Sequence, residues 1–165
     1  MTPETQNGSI PGVGRCPVRY ASLCVLLILC TTGSNAGVVT SCTELEGYSY
    51  FPEGDLVSKK DSGWAKDRIT GGRVVVTRTK GEFDIIFTDA AKRTVSSKED
   101  GATIQKLEER PGTLVLLVIY PRVSVETWVF KIDQSGRGYL MMSQQRFGEA
   151  VLLRKYALMR ADCAK

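Results

Sequence analysis

Histidine occurs nowhere in the 165 residues, which removes the side chain most often used as a general base or metal ligand near neutral pH. Beyond residue 36 there is no asparagine either, so that stretch holds no acceptor for N-glycosylation. Cysteine is sparse: five in the chain, three of them at or before residue 30. No Gly-x-Ser-x-Gly elbow occurs, and no serine is followed three residues later by lysine. With no histidine to activate a thiol, nucleophilic hydrolysis is not expected. A metal site of the His and Cys kind is excluded by composition, and residues 133–138 offer one carboxylate where a calcium loop alternates several. No cofactor is expected. Long apolar runs are also lacking, since residues 21–30 make only about half of the roughly 20 residues a spanning helix needs. Nor is there an excess of one charge. Lys+Arg number 22 and Asp+Glu 18, a formal net charge of +4, and the signs alternate along the chain. That pattern describes a solvated surface rather than a nucleic-acid footprint.

What is present begins with a leader. Arg15 and Arg19 precede the apolar run, and Ser34-Asn35-Ala36 puts small residues at the two positions a signal peptidase reads. Residues 1–36 therefore read as a signal peptide cleaved after Ala36. Leu29, directly before Cys30, argues against a lipoprotein signal. The remainder, 37–165, has the size of a single domain. An Asn-free, Arg-rich composition behind such a leader points to a secreted protein, with a bacterial periplasm favoured, and to no stable membrane span after cleavage. Only Cys42 and Cys163 remain in the mature part, and in an oxidising compartment an even pair reads as a disulfide. The bridge would close a loop of about 120 residues, worth roughly 4 to 5 kcal/mol in the chain-entropy model. It also requires the first and last elements to be neighbours.

Along the mature chain, apolar and turn residues alternate at strand spacing. Residues 37–47 read as a lead-in, 48–51 as a brief strand stopped by Pro52-Glu53-Gly54-Asp55, and Gly71-Gly72 as the introduction to a strand at 73–79. Residues 82–88 put Phe83, Ile85 and Phe87 on one face and Asp84 and Thr88 on the other, which makes a hairpin with the preceding strand. Short strands follow at 93–97 and 102–108, with Leu107 changing face. The densest apolar material is 110–132, read as two antiparallel strands joined at Tyr120-Pro121-Arg122. Leu114 to Ile119 are apolar without interruption, which places that strand in the middle of a sheet with both faces covered. A further strand spans 139–147. Residues 151–163 divide evenly between a short C-terminal helix, on Ala, Leu and Met content, and a strand paired beside the first, on the disulfide argument.

The chain is thus expected to be all-β: one antiparallel meander of about 7–9 short strands closed as a small barrel, with a β-sandwich as the alternative. In plan this resembles the lipocalin-type barrels. The Gly-x-Trp start of that family is not matched, because Ser62-Gly63-Trp64 puts glycine directly beside tryptophan.

Candidate site residues come from position. Trp64, Tyr120 and Arg122 fall on segments that read as loops or strand ends, where a side chain reaches a ligand or partner without disturbing the fold. No catalytic residue is assigned. Asp84 and Glu126 are the one pair that an acid–base mechanism would use, since Glu126 shares a strand face with Trp128 and Phe130, and a carboxyl beside apolar rings has a raised pKa. The first functional expectation is a non-catalytic barrel holding an apolar or amphipathic small molecule. The second is an envelope interaction module, an inhibitor or assembly factor; under either expectation the protein is a monomer or weak homodimer. An enzyme using buried carboxylates comes third.

Overall fold

The computed structural model describes residues 37–54, 56–148 and 151–164. The expected leader and its cleavage site lie outside the described residues, as do Asp55 and Glu149. Nine strands and no helix make up the described part: β1 Gly37–Phe51, β2 Gly63–Thr79, β3 Glu82–Thr88, β4 Thr94–Ser96, β5 Thr103–Arg110, β6 Thr113–Tyr120, β7 Ser124–Ile132, β8 Gly138–Arg146 and β9 Lys155–Ala164. All pairings are antiparallel, in the order β4-β3-β2-β1-β9-β8-β7-β6-β5. The sheet curls through 237° as a half-barrel, an open small barrel rather than a sandwich.

First and last strands are neighbours, as the two cysteines require. Cys42 and Cys163 face each other directly across β1 and β9 with Cα atoms 4.0 Å apart, and they are bonded through sulfur. The bridge thus lies in the middle of the sheet. Among the described residues, β4 and β5 are the consecutive strands that share no backbone ladder, so the opening falls there. Residues 97–102 cross it at one end, tied by Ser97 N–H to Ile85 C=O at 2.8 Å and by Ala102 N–H to Ser97 C=O at 2.8 Å. At the other end the Arg78 guanidinium meets Glu109 at 2.8 Å. Side chains and a turn span this seam where a closed barrel would have hydrogen-bonded strands.

Period-two alternation decides what lies inside. Leu114, Leu116 and Val118 on β6, Trp128 and Phe130 on β7, Leu140 and Met142 on β8, and Met159 and Ala161 on β9 are buried. Leu45, Val74, Val76, Phe83 and Ile85 close the core from β1 to β3. Burial of each such aliphatic or aromatic side chain contributes about 1.5–3 kcal/mol.

One open alternative is settled and three expectations change. The C-terminal segment is a strand: Ala157, Met159, Ala161 and Cys163 point in while Tyr156, Leu158, Arg160 and Asp162 point out. Helix propensity yields there to ladders on both sides, with β1 and β8. The 37–47 lead-in belongs to β1, whose alternation is interrupted by register shifts near Val39 and Glu44. Glu44 has φ 58°, and its carboxylate accepts from Arg68 Nη2 at 2.7 Å and from Gly71 N–H at 3.3 Å. β2 begins at Gly63, not at Arg73, and Gly71, with φ 67°, is a kink inside the strand. Finally, β6 lies next to the β5 edge, and only one of its faces is covered: Val115, Leu117 and Ile119 on the outside remain half-exposed.

Candidate functional site: the barrel mouth at the Tyr120 end

Register places the interior side chains in rows across the sheet. One row holds Leu114, Phe130, Leu140 and Ala161, and the next holds Leu116, Trp128, Met142 and Met159. Above them come Val118, Glu126, Gln144, Ala157 and Ser49, and the rim row is Tyr120, Ser124, Arg146 and Lys155. Polarity therefore rises in steps from an apolar floor to a polar rim. The steps follow from strands whose inward positions change character along their length, as in Phe130, Trp128, Glu126, Ser124 on β7.

A cavity of about 200 Å³ occupies this end, with Leu45, Ile69, Phe87, Trp128, Met142 and Met159 below and Ser97, Tyr120, Glu126, Gln144, Arg146 and Lys155 above. It shares Phe87, Ser97, Tyr120, Glu126, Gln144 and Arg146 with an outer depression of about 350 Å³ that reaches Asp89, Arg93 and Asp100. The two make one mouth with an inner chamber.

Glu126 is 6% exposed and accepts from Gln144 Nε2 at 2.6 Å, Trp128 Nε1 at 3.0 Å and the Ser124 hydroxyl at 3.3 Å. Burial pushes its pKa above the ordinary carboxylate range, and the three donors and the Arg146 charge only partly oppose this. Lys155 pairs with Asp67 at 3.0 Å, and Asp67 also accepts from the Ser49 hydroxyl at 2.6 Å. Burial by itself would raise the Asp67 pKa, but Ser49 and Lys155 outweigh it and the carboxyl is held below its usual value. Tyr120 is raised mainly by burial, with a hydrogen bond to Ser97 opposing and the charges of Glu126, Asp100 and Asp84 adding to it. Arg146 differs from all of these: among the described residues it has no side-chain hydrogen bond and no carboxylate within 4.0 Å, although its charge is felt at Glu126.

The three residues picked from the sequence do not converge. Tyr120 lies on the rim of the mouth. Trp64 is on the outer face of β2, 69% exposed, with its ring edge-on to Tyr50 at 5.6 Å, and Tyr50 lies 6.5 Å from Tyr156. Arg122 is an exposed turn residue with φ 62°, and its carbonyl comes so close to Gly148 that any side chain there would collide with it. Asp84 points outward, accepting from Ser96 at 2.6 Å and from its own strand at Ile85 N–H, so it forms no pair with Glu126. Gln144, Arg146, Lys155 and Asp67 were missed. The alternation Leu140, Met142, Gln144, Arg146 signals two of them, whereas Asp67 is hidden in a strand whose register is broken by bulges.

The opposite end carries a depression of about 500 Å³ beneath the residue 133–136 turn. Its Arg78 and Glu109 are paired with each other. The Thr40 hydroxyl, buried and without a partner among the described residues, is sealed under it. Among the described residues, no three carboxylates or thiols gather to hold a metal ion at either end. The outer face has a row of its own: Thr103, Ile119, Val125, Gln145, Tyr156, Tyr50 and Trp64, free of charge across seven strands. No protein family matches the chain, and no curated protein or solved structure is similar to it.

Proposed function

We propose that this protein is a binding protein without covalent chemistry, which holds a small amphipathic molecule in the mouth at the Tyr120 end. The stepped interior carries the reading: apolar rows below a row of buried hydrogen-bonding groups below a charged rim match a molecule with one apolar and one polar end. The small volume of the inner chamber suits a short tail. The disulfide and the leader suit a secreted or periplasmic location, where a carrier or buffer of such molecules would work. No described helix is long and apolar enough to cross a membrane.

Titrating the purified protein with octanol while following Trp128 emission, in a Trp64→Phe background, tests this. Saturable binding that Ile69→Phe abolishes by filling the inner chamber supports the reading. Absence of saturation for alcohols and acids of six to ten carbons (roughly what a cavity of this size accepts) removes it.

A second reading rests on the uncharged outer row with Trp64, Tyr50 and Tyr156, together with the half-exposed Leu117 and Ile119, and takes this protein as an interaction module for another envelope protein. Loss of a co-purifying partner on Trp64→Ser and Leu158→Ser, with the octanol titration unchanged, would favour it.

A further inference from the structure

The binding reading leaves open which polar end the ligand carries, and the charges of the mouth are not symmetric in this respect. Three of the four charged groups near the inner chamber are already satisfied. Glu126 accepts three hydrogen bonds in a buried position, and Lys155 and Asp67 neutralise each other at 3.0 Å. An incoming cation would have to compete with Gln144, Trp128 and Ser124 for a carboxylate that burial already disfavours as an anion. Arg146 stands alone among them, half-buried on the rim row, without a side-chain hydrogen bond or an ion pair among the described residues. It lines both the inner chamber and the outer depression, so it borders the passage any ligand takes. Of the acids further out, Asp89 is held by Arg93 at 2.8 Å, and Asp100 sits exposed on the turn before β5, where water screens it.

We propose that Arg146 is the anion-binding residue of this mouth and that the ligand is a short alkyl carboxylate. In this assignment, which rests on the mouth being the binding site, the carboxylate pairs with the guanidinium at the rim. The alkyl chain runs down past Phe87 and Met142 towards Trp128. A planar fork of donors meets a carboxylate with two parallel hydrogen bonds, a geometry that an ammonium does not reproduce. Tyr120, two register positions away in the same rim row, is placed to add a phenolic contact to the head.

Calorimetric titration of the purified protein with octanoate, octanol and octylamine, on wild type, R146Q and R146K, tests this. Wild type should prefer octanoate to octanol, and added salt should weaken octanoate alone. R146Q should weaken octanoate at least about tenfold more than it weakens octanol, the size expected for one charge-assisted pair. R146K should recover part of the loss. Equal binding of octanoate and octanol by wild type, without salt dependence, overturns the carboxylate assignment and leaves the mouth as the site, and so does preference for octylamine. Failure of all three ligands to bind removes both the assignment and the reading beneath it. If R146Q does not fold, R146K carries the test: an undiminished preference of R146K for octanoate over octanol overturns the guanidinium assignment.

Discussion

Two carboxylates a few residues apart in space behave in opposite ways, and the difference is in what surrounds them. Glu126 is buried with neutral donors, which raises its pKa, whereas Asp67 has an ammonium at 3.0 Å and a hydroxyl at 2.6 Å, which lower its pKa. For Glu126 the folded state binds the proton more tightly than the unfolded chain. Stability tied to it is therefore complete below the ordinary value of 4.5 and is lost as pH rises through the raised one. Glutamine stands in for the protonated acid, so Glu126→Gln should gain stability relative to wild type between about pH 4 and pH 8 in urea denaturation. A constant difference across that range would contradict the burial argument. Asp67 runs the other way: its contribution is present above 3.8 and disappears as pH falls through the lowered value. Asp67→Asn should cost about 1–3 kcal/mol at neutral pH, because it strands Lys155, and should cost little near pH 2. That Glu126 faces Trp128 and Phe130 was legible from spacing alone, since residues two apart on a strand share a face. That it accepts from Gln144 was not, because this depends on the β7–β8 register.

Among the elements, β6 is the most informative. Its run of six apolar residues gives no local sign of which face is covered, and the structure covers only the one with Leu114, Leu116 and Val118. Leu116→Asp should therefore cost more than about 4 kcal/mol, or prevent folding, while Leu117→Asp should cost within about 1 kcal/mol. Similar losses for both, measured by chemical denaturation of the monomer, would mean that something covers the outer face. The β3 bounds, by contrast, coincide with those read from the sequence, because clean alternation between two turns leaves no other solution. β1 and β2 were only partly legible. Their bulges at Glu44 and Gly71 shift the phase of the pattern midway, so that each half is too short to recognise as one strand. β9 shows tertiary pairing overriding local preference: a helix-favouring composition is held extended by a ladder on each side and a covalent bond near its end.

For the molecule as a whole, the balance lies between a bridge at the centre of the sheet and an opening at its edges. The disulfide joins residues 121 apart, so replacing both cysteines by serine should remove roughly 2–5 kcal/mol and lower the Tm of the oxidised protein to that of the reduced one. Backbone amides on the free edges of β4 and β5, which have no ladder partner across the seam, should exchange with solvent fastest among the strands, and those of β1, β9 and β8 slowest. Uniform protection across all nine strands would mean that the seam is closed in solution. The chain by itself determined the all-β class, the strand number within its expected range, the pairing of Cys42 with Cys163 and hence the contact of first and last strands. These follow from period-two alternation, turn residues and covalent chemistry, all of which are local or carried by the residue type. Only the tertiary structure decided where the sheet opens, which face of β6 is covered, and that Tyr120, Glu126, Arg146 and Lys155 meet at one mouth. Those outcomes depend on the register between strands distant in sequence and on the direction in which the sheet curls, and neither is a property of any single segment.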